Sequence, residues 1–195
     1  MGSFKNQQNG NVIAAAKAGI VCLYGVFDNQ LRNFTEMAGY RDYLRECAAI
    51  VVRETIPIVY LAGGHTNPKS NFSEAKSVER YFRDHLARNK PENQIKIELE
   101  ERSVNTPQNI HFSLTRIRLE YPHLREVHIF TDRCRKLKGM ALAHHLCFGF
   151  RHTVHGVPRI DTHPNSVWWK QAIQAFCYYF FFENILRDID REKRR

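Results

Sequence analysis

The chain lacks a paired-cysteine spacing, a long apolar run and enough acid to balance its bases. Its five cysteines, Cys22, Cys47, Cys134, Cys147 and Cys177, form no CxxC or CxxxC pair, and their number is odd. A disulfide framework shows an even and denser set, so reduced thiols in a cytosol-like compartment are expected. The greasiest stretch, Ala172 to Leu186, is interrupted by Gln174, Glu183 and Asn184. It falls short of the roughly 20 residues that a membrane span requires. Residues 1–10 are polar and carry no signal-peptide core. A cytoplasmic chain with no membrane span is therefore expected. Internal repeats and low-complexity linkers are absent as well.

What is present fits one domain. A chain of 195 residues, 43% hydrophobic and 25% charged, excludes a mostly disordered, collagen-like or coiled-coil protein. It is long enough to bury a substantial core without staples. We read residues 1–17 as a tail, 18–190 as a single α/β domain and 191–195 as a basic tail. The formal net charge of +9 points towards anionic partners. No recognition module or aromatic-interleaved basic strand accompanies it, so nucleic acid is not expected.

Apolar runs ending in glycine alternate with amphipathic stretches. Gly19–Gly25 and Pro57–Gly63 read as buried parallel strands, and Gln94–Glu100 as an edge strand. Glu126–Thr131 and Phe150–Gly156 complete five strands. Helices are predicted over residues 40–53, 73–88, 106–121, 137–147 and 166–189, with Ser73 and Thr106 as caps and Pro107 in a first turn. This alternation predicts a Rossmann-like three-layer α/β/α sandwich with five mostly parallel strands.

In such a sheet, ligands sit at the carboxyl ends of the strands. Those ends collect Tyr24-Gly25, Gly63-Gly64-His65, Glu101–Thr106, Thr131–Arg133 and His155-Gly156. Gly63 and Gly64 can approach a ligand closely and adopt positive φ, and the start of the next helix offers N–H groups to an anion. Ser103, Asn105, Thr106 and Asn109 can all hydrogen-bond at the same rim. Glu74 at a helix start can orient a ligand hydroxyl or serve as a base. Glu100 and Glu101 alternate in facing, so one of them is the other carboxylate candidate, and His65 is the acid–base histidine. The bases Arg133, Arg135, Lys136 and Lys138 crowd a positive helix end, which suggests an anion offsetting their repulsion. No three-ligand metal spacing exists.

In this order, Ala62-Gly63-Gly64, Glu74-Ala75, Glu100-Glu-Arg-Ser-Val-Asn-Thr-Pro-Gln-Asn109 and Phe130-Thr131 resemble the motifs of the YdcF-like family, which includes SanA and ElyC. The resemblance spans residues 18–160, and alignment with the family's Glu favours Glu100 over Glu101. It departs from the family's pattern at Gln108, where the family has Glu, and at Arg135 and Lys138, where it has His and Arg. It implies a Rossmann-like fold and a ligand site at Gly63, Gly64, Glu74, Ser103, Asn105, Thr106, Asn109, Thr131, Arg135 and Lys138. The implied ligand is small, polar and anionic, resembling a nucleotide or S-adenosylmethionine. Hydrolysis and group transfer both stay open, as does a non-catalytic regulatory or interaction role. The aromatics of the last helix lie on more than one face, so a homodimer through that helix is expected.

Overall fold

A computed structural model describes residues 17–25, 39–67, 70–89, 95–157 and 167–190. The two expected tails lie outside these residues, except Lys17, which begins the first strand. The strands are β1 (Lys17–Cys22), β2 (Ile58–Ala62), β3 (Lys96–Glu100), β4 (Glu126–Asp132) and β5 (Arg151–Val157). The helices are α1 (Tyr40–Arg53), α2 (Glu74–Asn89), α3 (Thr106–Glu120), α4 (Lys136–Leu146), α5 (Trp168–Phe180) and α6 (Phe182–Ile189). A single 3-10 turn, Arg133–Arg135, joins β4 to α4.

All five strands are parallel, in the order β3-β2-β1-β4-β5. Helices cover both faces, so the architecture is the expected Rossmann-like α/β/α sandwich, and β3 is indeed an edge. Strand alternation divides the apolar residues between two cores. Val21, Val59, Leu61 and Phe130 pack with α1 and α2. Ile20, Tyr60 and Ile129 pack with α3, α4, α5 and α6. This is why the central strands read as continuous apolar runs: each of their faces meets a helix layer.

The strand order reverses between β1 and β4, and the Tyr43 side chain of α1 spans that junction. Its hydroxyl lies 2.9 Å from the Cys22 carbonyl and 3.1 Å from that of Phe130. Burial pushes the Tyr43 phenol well above its ordinary range.

Two local expectations change. The single helix expected over 166–189 is broken at Phe181, whose φ of −127° and ψ of 85° leave the helical region. The break lets α6 fold back on α3, where Ile185 is fully buried. The cap of α3 is Asn105 rather than Thr106. Asn105 is extended and its side-chain oxygen accepts from the Gln108 N–H, while Thr106 and Pro107 already lie in the first turn. Ser73 does cap α2, accepting from the Lys76 N–H at 3.0 Å. Among the described residues, no helix is long and apolar enough to cross a membrane.

Candidate functional site

The carboxyl ends of β1, β2 and β3 are drawn together by backbone hydrogen bonds. The Gly63 N–H donates to the Glu100 carbonyl at 2.9 Å, and the Gly64 N–H to that of Ser103 at 2.7 Å. Neither glycine has positive φ; among the described glycines, Gly25, Gly39 and Gly149 do. Both are instead required for space. A Cβ on Gly64 would lie 2.5 Å from the carbonyl oxygens of Glu101 and Ser103, and one on Gly63 would meet Leu23 and Glu74 below 3.0 Å. The expected positive φ at Gly63 and Gly64 is thus corrected: the Cβ-free space is used for close approach between protein segments.

The start of α2 is likewise occupied. The N–H groups of Glu74 and Ala75 donate to the carbonyls of Gly64 and Gly63, and those of Lys76 and Ser77 to Ser73. The expected anion cradle at this helix start is thus filled by the chain itself. Glu74 follows directly and is 1% exposed. Its Oε1 accepts from the Gly25 N–H at 2.9 Å and from the Thr66 hydroxyl at 2.5 Å. This carboxylate therefore ties the loop after β1 to the loop after β2.

Glu100, the last residue of β3, is buried, and Glu101 just beyond the strand is exposed. Burial raises the Glu100 carboxyl above its ordinary range, against the pull of Ser103 and the Arg102 N–H. Ile97 faces the α2 side, so Glu100 faces α3, where the neighbouring Glu98 meets Arg116 at 3.0 Å. Glu74 abuts Gly63 from the α2 side. The two carboxylates flank the rim from opposite faces rather than pairing across one cleft. Glu101 accepts from the Ser73 hydroxyl at 2.5 Å.

Asn109 is buried and donates to the Leu23 carbonyl at 3.0 Å, fixing α3 to the end of β1. Asn105 turns elsewhere: its amide donates to the Asp188 carbonyl of α6 at 3.0 Å. Gln108 does the same towards Asp188 and Ile189, and its oxygen accepts from the Val104 N–H at 2.7 Å. Both hold α6 against the start of α3. Thr106 and Ser103 are buried in the α3 entry, and Thr131 is buried beside β5. His65 is exposed at the rim.

At the β1–β4 junction sits a second cluster. Asp132 caps the 3-10 turn, accepting from the Arg135 N–H at 2.8 Å, and pairs with the Arg135 guanidinium. Arg135 lies over the Tyr24 ring, 4.2 Å from its centroid, and the Tyr24 hydroxyl accepts from the Asp132 N–H at 2.7 Å. Lys138 is buried, reaches Gln174 of α5 at 3.2 Å and lies over the Tyr178 ring. Burial lowers its ammonium to about 8, with the Arg135 charge adding. Within this basic run, Asp132 supplies an internal counter-charge to Arg135. Asp132 was legible as a cap ahead of the basic run, since aspartate is favoured there. The roles of Tyr24, Thr66 and Asp188 had no local signal.

Cys22, Cys47 and Cys147 are buried, whereas Cys134 and Cys177 are half-buried. Burial pushes Cys22 and Cys47 up, and Cys147 up to about 12. Among the described residues, no group of three or more His, Cys, Asp or Glu side chains could hold a metal ion. No protein-family model, curated protein or solved structure matches the chain.

Proposed function

We propose that the chain binds a small polar metabolite at the carboxyl rim of β1, β2, β3 and β4. One observation carries this reading: Glu74, Glu100, Asp132, Arg135 and Lys138 are all buried at that single edge of the sheet. Buried ionisable groups are costly and concentrate at functional sites. The edge also contains the reversal of strand order, where open α/β sheets bind ligands. The resemblance to the YdcF-like motifs supports the same rim.

The geometry narrows the roles. Glu74, between the Gly25 N–H and the Thr66 hydroxyl, is the group best placed to meet a ligand hydroxyl or amine. Gly63, Gly64, Ser103 and Asn109 shape the rim through their contacts with the chain. Asn105 belongs to the α6 anchor. Arg135 and Lys138 hold a polar wall beside the junction. A nucleoside-bearing ligand, nucleotide or S-adenosylmethionine, has the hydroxyls and amine that a buried carboxylate selects. For hydrolysis or group transfer there, the acid–base candidate is Glu74 for a ligand seated on the α2 side and Glu100 for one seated on the α3 side.

The test is a thermal-shift panel of nucleotides, S-adenosylmethionine and sugar phosphates against the wild type and Glu74→Gln. A ligand at about 100 times its Kd adds about 2.7 kcal/mol, or roughly 5–10 °C for a chain this size. The expected result is a hit that Glu74→Gln loses while keeping its circular dichroism spectrum. A hit retained by Glu74→Gln would remove that residue from the site, and a panel without any hit would refute the ligand class.

A further inference from the structure

The outer face of α4 and α5 carries both a ridge and a groove. Trp169, Ile173, Phe176 and Phe180 recur at helical spacing and form one stripe along α5. The Phe176 and Phe180 rings are 4.6 Å apart. Beside the stripe, between α4 and α5, runs a groove of about 680 Å³. It is lined by the small residues Ala141, Ala172 and Ala175 and by the more exposed Leu137, Met140 and Tyr179, and the stripe residues Phe176 and Phe180 form its border on the α5 side. The four stripe residues and Leu137, Met140 and Tyr179 are each between 49% and 61% exposed.

The exposed area has the scale of a stable interface. A large side chain presents roughly 200 Å², so seven half-exposed ones present about 700 Å² per copy. A standard interface buries about 800 Å² per partner. Charge permits the same face. Among the groove-lining residues, only Lys136 carries a fixed charge, and Lys170 lies over the Trp169 ring at one end of the stripe. Two copies of a +9 chain repel, and a groove with one fixed charge keeps that cost low. A two-fold contact also needs one patch that complements itself. Here the projecting aromatics and the small-residue groove that receives them lie side by side. A flat bilayer surface would leave that groove unfilled.

We propose that the α4–α5 face joins two copies of this chain about a two-fold axis, the α5 ridge of each copy seated in the groove of the other. This is independent of the ligand reading, because none of the residues given a role at that site lines the groove or the stripe.

Sedimentation velocity on the full chain over about 1–100 μM tests it, since interfaces of this area span micromolar to picomolar affinity. The wild type is expected to be a dimer, tightening somewhat with added salt as the net charge is screened. Ile173→Lys is expected to be a monomer with an unchanged circular dichroism spectrum. Ala172→Phe separates seating from stickiness. It adds apolar area but fills the groove, so it is expected to weaken the dimer by at least about tenfold. Unchanged or tighter association of Ala172→Phe would overturn the ridge-in-groove contact. A wild type that stays monomeric throughout, or that collects on phosphatidylcholine vesicles instead of pairing, would overturn the interface itself.

Discussion

Replacing Gly64 by alanine tests whether the strand-end glycines serve the fold or a ligand. The new Cβ would lie 2.5 Å from the carbonyl oxygens of both Glu101 and Ser103. Both are backbone atoms, so neither can rotate away as a side chain could. Relief requires the 101–103 segment to withdraw, which weakens the 2.7 Å hydrogen bond from the Gly64 N–H to the Ser103 carbonyl. Overpacking of this kind costs about 1–3 kcal/mol, and a lost hydrogen bond about 1 kcal/mol more. The sum, about 2–4 kcal/mol, corresponds to a fall of roughly 5–15 °C in Tm for a chain of this length. Gly149→Ala is the control. Gly149 has φ of 84° and no atom within 4 Å of a built Cβ, so only backbone strain of about 1 kcal/mol is expected. Urea or thermal unfolding of the ligand-free protein, followed by circular dichroism, reads both. If Gly64→Ala lost no more than about 0.5 kcal/mol, the size of a neutral surface change, the glycine would not be needed by its protein neighbours.

Two further outcomes follow from the C-terminal anchor and the buried lysine. Asn105→Ala removes the α3 cap and the tether to the Asp188 carbonyl, and is expected to cost about 1–2 kcal/mol. Amide exchange over 182–189 should accelerate in this variant, and unchanged protection would show that α6 is held by other means. Lys138 loses its proton near pH 8 in the folded chain and near 10.5 when unfolded. Between those values the unfolded chain binds the extra proton, so this group's contribution to stability rises with pH, by up to about 3 kcal/mol. The buried thiols and phenols titrate in the opposite sense, so the readout is the difference between the wild type and Lys138→Met. That difference should grow in the wild type's favour from pH 8 to 10.5; a constant difference would refute the depressed lysine.

The amino-acid pattern alone determined the layer architecture. Alternating apolar runs and amphipathic stretches leave a parallel sheet covered on both faces as the economical way to bury them, and Ser73, Pro107 and Glu100 behaved as their local chemistry requires. Tertiary structure decided which polar residues meet. Asn105 and Asn109 are one helical turn apart, yet one holds α6 and the other the end of β1. The partner of each is more than 80 positions away in the chain, beyond any local signal. The break at Phe181 had the same cause: burial of Ile185 against α3 outweighs helix continuity, a balance set by packing rather than propensity. Gly63 and Gly64 announced a close approach through their composition, but only folding showed that the approaching atoms belong to Leu23, Glu74 and the 101–103 segment.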